Sequence, residues 1–221
     1  MLFRSLEDYR PPPPGRLEAL AAELLPPGAG PVLLAVSRLH PAKRNHLLVP
    51  ALIQIRRRLP GACLLLAGEG EQRPALEAAA AGLGPWFRLL GDRMDVPALL
   101  HLADLVLCPS ANEGFGLAVL EALAAGRPVV AADLPQFRLL LAQGAGLALV
   151  PEGGAAAFAE AALGLLLDRA GAAALGLRNL DTAKRHWDIR LSARRYEEIY
   201  GVLAGRGSAS TRSGPNSTWQ L

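Results

Sequence analysis

The 221-residue chain holds only two cysteines, Cys63 and Cys108, too few for the disulfide frameworks that staple small secreted domains. Each lies inside an apolar, strand-like run and reads as a reduced core residue, which points to a reducing, cytoplasmic setting. A large charge excess is also lacking. Lys and Arg outnumber Asp and Glu by 3, although the pI is near 9.2. So small a balance argues against a nucleic-acid binder, while leaving local basic clusters able to hold a phosphate. No apolar run reaches the ~18 residues of a membrane span, and the first seven residues lack the apolar region of a signal peptide. Peripheral membrane contact stays open. The four histidines, His40, His46, His101 and His186, are scattered, and no Cys/His/Asp cluster has metal-ligand spacing. A P-loop and a serine nucleophile elbow are both absent.

What is abundant is apolar: 51% of the chain is hydrophobic, most of it Ala and Leu, which suits helices packed on a buried sheet in one well-cored domain. The prolines at 11–14 favour a stiff, extended segment, so residues 1–30 read as a linker and a short helix over 15–25, ahead of the core. From residue 31, short apolar runs alternate with helical periodicity. Strands are expected at 32–36, 62–67, 86–90, 105–107, 128–132 and 146–150. Helices are expected at 45–59, 74–82, after Asp95, after Gly116, and at 135–142, 154–168, 170–180 and 189–204. In the helix at 45–59, Leu48, Leu52, Ile55 and Leu59 recur at three- and four-residue steps, and Arg56, Arg57 and Arg58 crowd the turn where the dipole favours cations. Six strands alternating with helices imply an α/β fold, a Rossmann-like doubly wound parallel sheet over 31–203. The Ser-, Gly- and Thr-rich tail, 204–221, is expected to be disordered.

Open parallel sheets bind ligands at the carboxyl ends of their strands, which directs attention to four loops. After the first strand, Arg38 and Lys43 bring two cations together in a form that suits a pyrophosphate or, more plainly, a solvated basic loop. After the second, Gly68-Glu69-Gly70 fails the dinucleotide fingerprint, because position 73 is Arg73; close backbone packing is the preferred reading. After the third, Asp95 is expected to cap a helix, and Arg93 stands within reach of a base or phosphate, or is a surface arginine. After the fourth, Gly114 and Gly116 bracket a turn into a helix whose free N–H groups can take an anion. Glu113 precedes that helix and Glu121 lies inside it, five residues past Gly116 and so about 8 Å of axial rise along it. That is the scale of the step from phosphate to ribose. Glu113 can equally be an acid favoured by the helix dipole. For Glu121, the apolar neighbours Val119, Leu120, Ala122 and Leu123 leave little room for a solvated face.

These blocks resemble a known family. Glu113-Gly114-Phe115-Gly116-Leu117 with Glu121-Ala122 at E-x7-E spacing, followed by Gly126-Arg127-Pro128-Val129-Val130-Ala131, looks like the signature of retaining GT-B glycosyltransferases of the group 1, or family 4, type. The Arg38-x4-Lys43 loop, Leu65-Leu66-Ala67-Gly68-Glu69-Gly70, and Ala103-Asp104-Leu105 with Pro109-Ser110 resemble its other blocks in the same order. The resemblance implies the C-terminal, donor-binding half of a GT-B fold, with a nucleotide-diphosphate sugar as donor and an acceptor left undefined. Arg38 and Lys43 would neutralise the pyrophosphate and assist its departure. Glu113 would contact the sugar, and the backbone at Phe115, Gly116 and Leu117 would hold sugar and phosphate oxygens. Glu121 would take the ribose, and Arg93 would lie near the base. Transfer would retain configuration and need no metal or cofactor. Residues 5–11 look like the linker between two such domains, so the N-terminal acceptor domain is expected in a preceding segment or a partner chain. A donor-binding subunit or fragment without activity of its own is the alternative. The pattern departs at Leu134-Pro135-Gln136-Phe137, where many relatives carry a Gly-Gly pair.

Overall fold

The computed structural model describes residues 5–151 and 154–204. The expected disordered tail lies outside the described residues from 205 onward. Six parallel strands form one sheet in the order β3-β2-β1-β4-β5-β6: β1 Val32–Val36, β2 Cys63–Ala67, β3 Phe87–Gly91, β4 Leu105–Cys108, β5 Val129–Ala132 and β6 Leu147–Val150. The helices are α1 Arg16–Leu24, α2 Leu48–Arg58, α3 Arg73–Ala80, α4 Val96–Leu102, α5 Leu117–Ala124, α6 Pro135–Ala142, α7 Ala155–Leu167, α8 Arg169–His186 and α9 Ile189–Leu203. Among the described residues, no helix is long and apolar enough to cross a membrane.

The strands read as continuous apolar runs because both faces are covered. Val32 and Leu34 point into a cluster built with α1, α4, α5 and α6. Leu33 and Ala35, one residue out of step, point into a second cluster built with α2, α3 and α7. Cys63 belongs to the first cluster and Leu64 to the second. Both cysteines are buried thiols, and burial pushes each up to about 11.

Three expectations need adjusting. Part of the segment read as a linker is core: Tyr9 is buried in the first cluster, beside Leu20 and Leu24 of the expected short helix, α1. The helix expected at 170–180 continues to His186, and beyond Leu180 it still presents a buried side, with Thr182 and Ala183 both buried; within the expected span, buried Asn179 accepts from Gly146 N–H and donates to Arg127 C=O. Asp95 occupies the capping position of α4 but does not cap it with its side chain. Its carboxylate is drawn instead to Arg93, at 2.8 Å from both Nε and Nη2.

Candidate functional site

The sheet order turns back between β1 and β4, so their carboxyl ends flank the topological switch point where open α/β sheets take ligands. The loops leaving these strands meet there. Ala111 N–H donates to Ala42 C=O at 2.8 Å, tying one loop to the other. Beside that bond Lys43 Nζ donates to Glu113 Oε1 at 2.7 Å, with the two side chains only 18% and 13% exposed. The buried Ser110 hydroxyl donates to the same Oε1 at 2.7 Å. Gln136, in the first turn of α6, donates its amide to the main-chain carbonyl of Glu113. The carboxylate and the backbone of Glu113 are therefore both held.

The sequence around Lys43 explains its placement. Asn45 is wholly buried; its side chain accepts from Ser37 Oγ at 3.0 Å and donates to Arg38 C=O at 3.1 Å. His40 Nδ1 accepts from Ala42 N–H at 3.2 Å, and Pro41 opens a single 3-10 turn ending at Lys43. Arg44 then takes a left-handed φ of 51°, which redirects the chain into α2. Arg38 is exposed on the same loop, and among the described residues no carboxylate pairs with its guanidinium.

The Gly68-Glu69-Gly70 turn packs as backbone against this loop. A Cβ on Gly68 would stand 2.0 Å from Ser37 O, and one on Gly70 2.5 Å from Leu39 O. On the other side, Gly116 opens α5 with a left-handed φ of 76° and lies against the Phe137 ring. Phe115 is half-exposed and nothing crowds Gly114. The first bonds within α5 run from Val119 and Leu120 N–H to Gly116 C=O. The N–H groups at the helix start thus have no partner inside the helix.

Glu121, one turn into α5, is 5% exposed, so it is not on a solvated face. Its Oε1 accepts from the Tyr9 hydroxyl at 2.8 Å. Arg93 lies beyond the end of the edge strand β3. It grips Asp95 and reaches Glu23 at 3.3 Å, and the Asp95 bond raises its pKa while lowering that of the carboxyl. The structure thus brings Lys43 and Glu113 into contact, sets the α5 turn beside them, and holds Arg93 in a separate ion-pair group. Sequence reasoning missed Ser110 as a partner of Glu113, the anchoring bond of Gln136, and Tyr9. Each lies in a stretch the sequence singles out, Ser110 in a block that resembles the family, Gln136 where the pattern departs and Tyr9 in the linker-like segment, but no local signal pairs them with a glutamate.

A cavity of about 870 Å³ lies at the amino ends of the strands, against Pro31, Asp104 and Pro128 just ahead of β1, β4 and β5. Tyr9 and His101 reach its lining, but none of Lys43, Ser110, Glu113 or Gly116 does. Among the described residues no group of three or more His, Cys, Asp or Glu side chains is placed to hold a metal ion.

The chain resembles known proteins in both sequence and fold. The family described as "Glycosyl transferases group 1" matches residues 30–168. A phosphatidyl-myo-inositol mannosyltransferase of Mycobacterium leprae is 34% identical over 189 residues, covering 82% of this chain and 49% of that protein. A D-inositol 3-phosphate glycosyltransferase of Nocardia farcinica is 39% identical over 185 residues, covering 78% and 40%. The chain spans about half the length of the curated relatives it matches. Among solved structures, Anabaena HepE in complex with UDP-glucose superposes with a TM-score of 0.79 at 27% identity, over 90% of this chain and 56% of that one. The C-terminal domain of a group 1 glycosyl transferase, LpcC of Francisella tularensis, gives a TM-score of 0.71 at 21% identity, over 84% of this chain and 99% of that domain, a likeness of fold alone.

Proposed function

The chain belongs to the group 1 glycosyl transferases, and from that premise we propose that it binds a nucleotide-diphosphate sugar as the donor half of a retaining GT-B enzyme. The observation that carries the reading is the junction of the β1 and β4 loops at the switch point, with Lys43 and Glu113 2.7 Å apart.

In this reading the donor pyrophosphate lies between Lys43, Arg38 and the N–H groups of Phe115, Gly116 and Leu117. An ammonium carries three donors, so Lys43 can keep Glu113 and still reach a phosphate oxygen. Glu113, anchored by Ser110 and Gln136, accepts from a sugar hydroxyl. Glu121 takes the ribose, and Arg93 stands at the base end. As the bond from the anomeric carbon to phosphate breaks and the acceptor oxygen bonds that carbon, giving its proton to a diphosphate oxygen, negative charge grows on the departing diphosphate. In this reading the cations of Lys43 and Arg38 and the helix-start N–H groups stabilise it, with no metal ion required. The working compartment is cytoplasmic, where Cys63 and Cys108 stay thiols.

Saturation-transfer NMR with UDP-glucose and GDP-mannose tests the reading. Expected is transfer to both ribose and sugar protons of at least one donor. No transfer to either, at millimolar donor, overturns it.

The half-length coverage of the relatives favours a second reading for the activity. Acceptor binding would then come from outside these 221 residues, in the same polypeptide or in a partner chain. If so, the chain alone binds donor with little transfer, and an added acceptor-binding half restores transfer. Full transfer by the chain alone rules this reading out.

A further inference from the structure

The carboxylate assigned above to the ribose is not positioned by α5 alone. Tyr9 comes from the segment ahead of α1, 112 positions earlier in the chain, and its hydroxyl donates to Glu121 Oε1 at 2.8 Å. Tyr9 is 2% exposed and sits in the cluster shared with α4 and α5. Its main-chain carbonyl accepts from His101 Nε2 on α4 at 2.8 Å. A carbonyl can only accept, so Nε2 carries the proton. Burial also lowers the pKa of that imidazole, favouring its neutral form. Tyr9 is therefore pinned through its main chain to one helix and through its phenol to the next.

Glu121 lies in a helix where six of eight residues are buried. A carboxylate in such surroundings needs donors to offset the loss of water. It also needs a fixed plane if it is to accept two adjacent hydroxyls of a ribose, because a group that must first be ordered loses affinity to that ordering. A carboxylate has about four acceptor positions, and a phenol on Oε1 engages one of them.

We propose that Tyr9 is a positioning residue of the donor site: its hydroxyl fixes the Glu121 carboxylate in the orientation that accepts the ribose hydroxyls, making the segment ahead of α1 a working wall of that site. The proposal rests on the ribose role of Glu121. It predicts that loss of one oxygen atom, far away in sequence, is felt as a loss of ribose recognition.

The test uses the intact chain, Tyr9→Phe and Glu121→Gln. Each is titrated with the nucleoside diphosphate that binds wild type most tightly among UDP, GDP and ADP, with its 2′,3′-dideoxy analogue, and with inorganic pyrophosphate. Expected for Tyr9→Phe is roughly a three- to tenfold weaker affinity for the ribonucleotide, the size of one ordinary net hydrogen bond, because the loss is felt through Glu121 and not at the ligand itself. The dideoxy analogue and pyrophosphate should bind as to wild type. Equal weakening for the ribonucleotide and its dideoxy analogue means Tyr9 only packs, and overturns the proposal. Unchanged ribonucleotide affinity overturns it too. Glu121→Gln separates the two levels. If it discriminates ribo from dideoxy while Tyr9→Phe does not, the ribose reading stands and the positioning role falls. If Glu121→Gln does not discriminate, both fall.

Discussion

Lys43 and Glu113, 70 positions apart in sequence, meet at 2.7 Å where the β1 and β4 loops converge, and Ser110 closes on the same carboxylate oxygen. The pair joins the cation assigned to the diphosphate to the acid assigned to the sugar. Removing one partner leaves the other largely buried with fewer contacts, which is costly for a charged group.

Lys43→Ala should weaken nucleoside-diphosphate binding by about 1–3 kcal/mol and leave the matching nucleoside nearly unchanged. Arg38→Ala should act in the same direction with little effect on the unfolding midpoint, since Arg38 is exposed. Calorimetric titration of both ligands checks this. Equal loss for nucleoside and diphosphate would contradict the phosphate role.

The glycines of the site should separate by geometry. Gly68→Ala places a methyl group 2.0 Å from Ser37 O at a φ of +135°, so the backbone must move. A loss above about 2 kcal/mol is expected in urea unfolding. Gly114→Ala meets nothing within 4 Å, and its stability should stay within about 0.5 kcal/mol of wild type. Similar losses for both would contradict the close approach of the two loops.

Asp95 supplies a pH test. Its carboxyl lies below the ordinary value of 3.8, chiefly because Arg93 hydrogen-bonds the ionised form. A lowered folded pKa means the unfolded state takes up the proton first as pH falls. The stabilisation is therefore fully present above the ordinary value and is lost as pH falls through the folded one. The gap in urea midpoint between wild type and Asp95→Asn should be constant from pH 7 to about 5 and shrink below about 4. A gap that widens under acid would contradict the assignment.

Cys63 and Cys108 are buried thiols pushed up to about 11. A native sample at pH 8 should react slowly with a thiol reagent, and two thiols per chain should titrate rapidly in denaturant. Fast native labelling would contradict their burial.

The sheet was legible in the sequence because its central strands β1, β2, β4 and β5 are buried on both faces. A run such as Val32-Leu33-Leu34-Ala35-Val36 has no polar alternation to confuse it with an exposed strand. The α5 turn was legible for a different reason: Gly116 needs a left-handed φ that few other residues adopt. The Lys43–Glu113 contact was not, since two loops far apart in sequence meet only when the parallel order is built. Asp95 looked like a helix cap locally, but an arginine two residues earlier offered a charged, two-pronged partner that outcompeted neutral N–H donors. Tyr9 followed a similar logic. Beside four prolines it looked like part of a spacer, and only a buried carboxylate on α5 gave its hydroxyl a reason to be inside.

The central claim is that the switch-point loops hold the diphosphate of a nucleotide. Calorimetric titration of the intact chain with UDP, GDP and ADP tests it most directly. The account predicts saturable binding of at least one of them below 1 mM, competed by inorganic pyrophosphate. No binding of any of the three at millimolar concentration would contradict it.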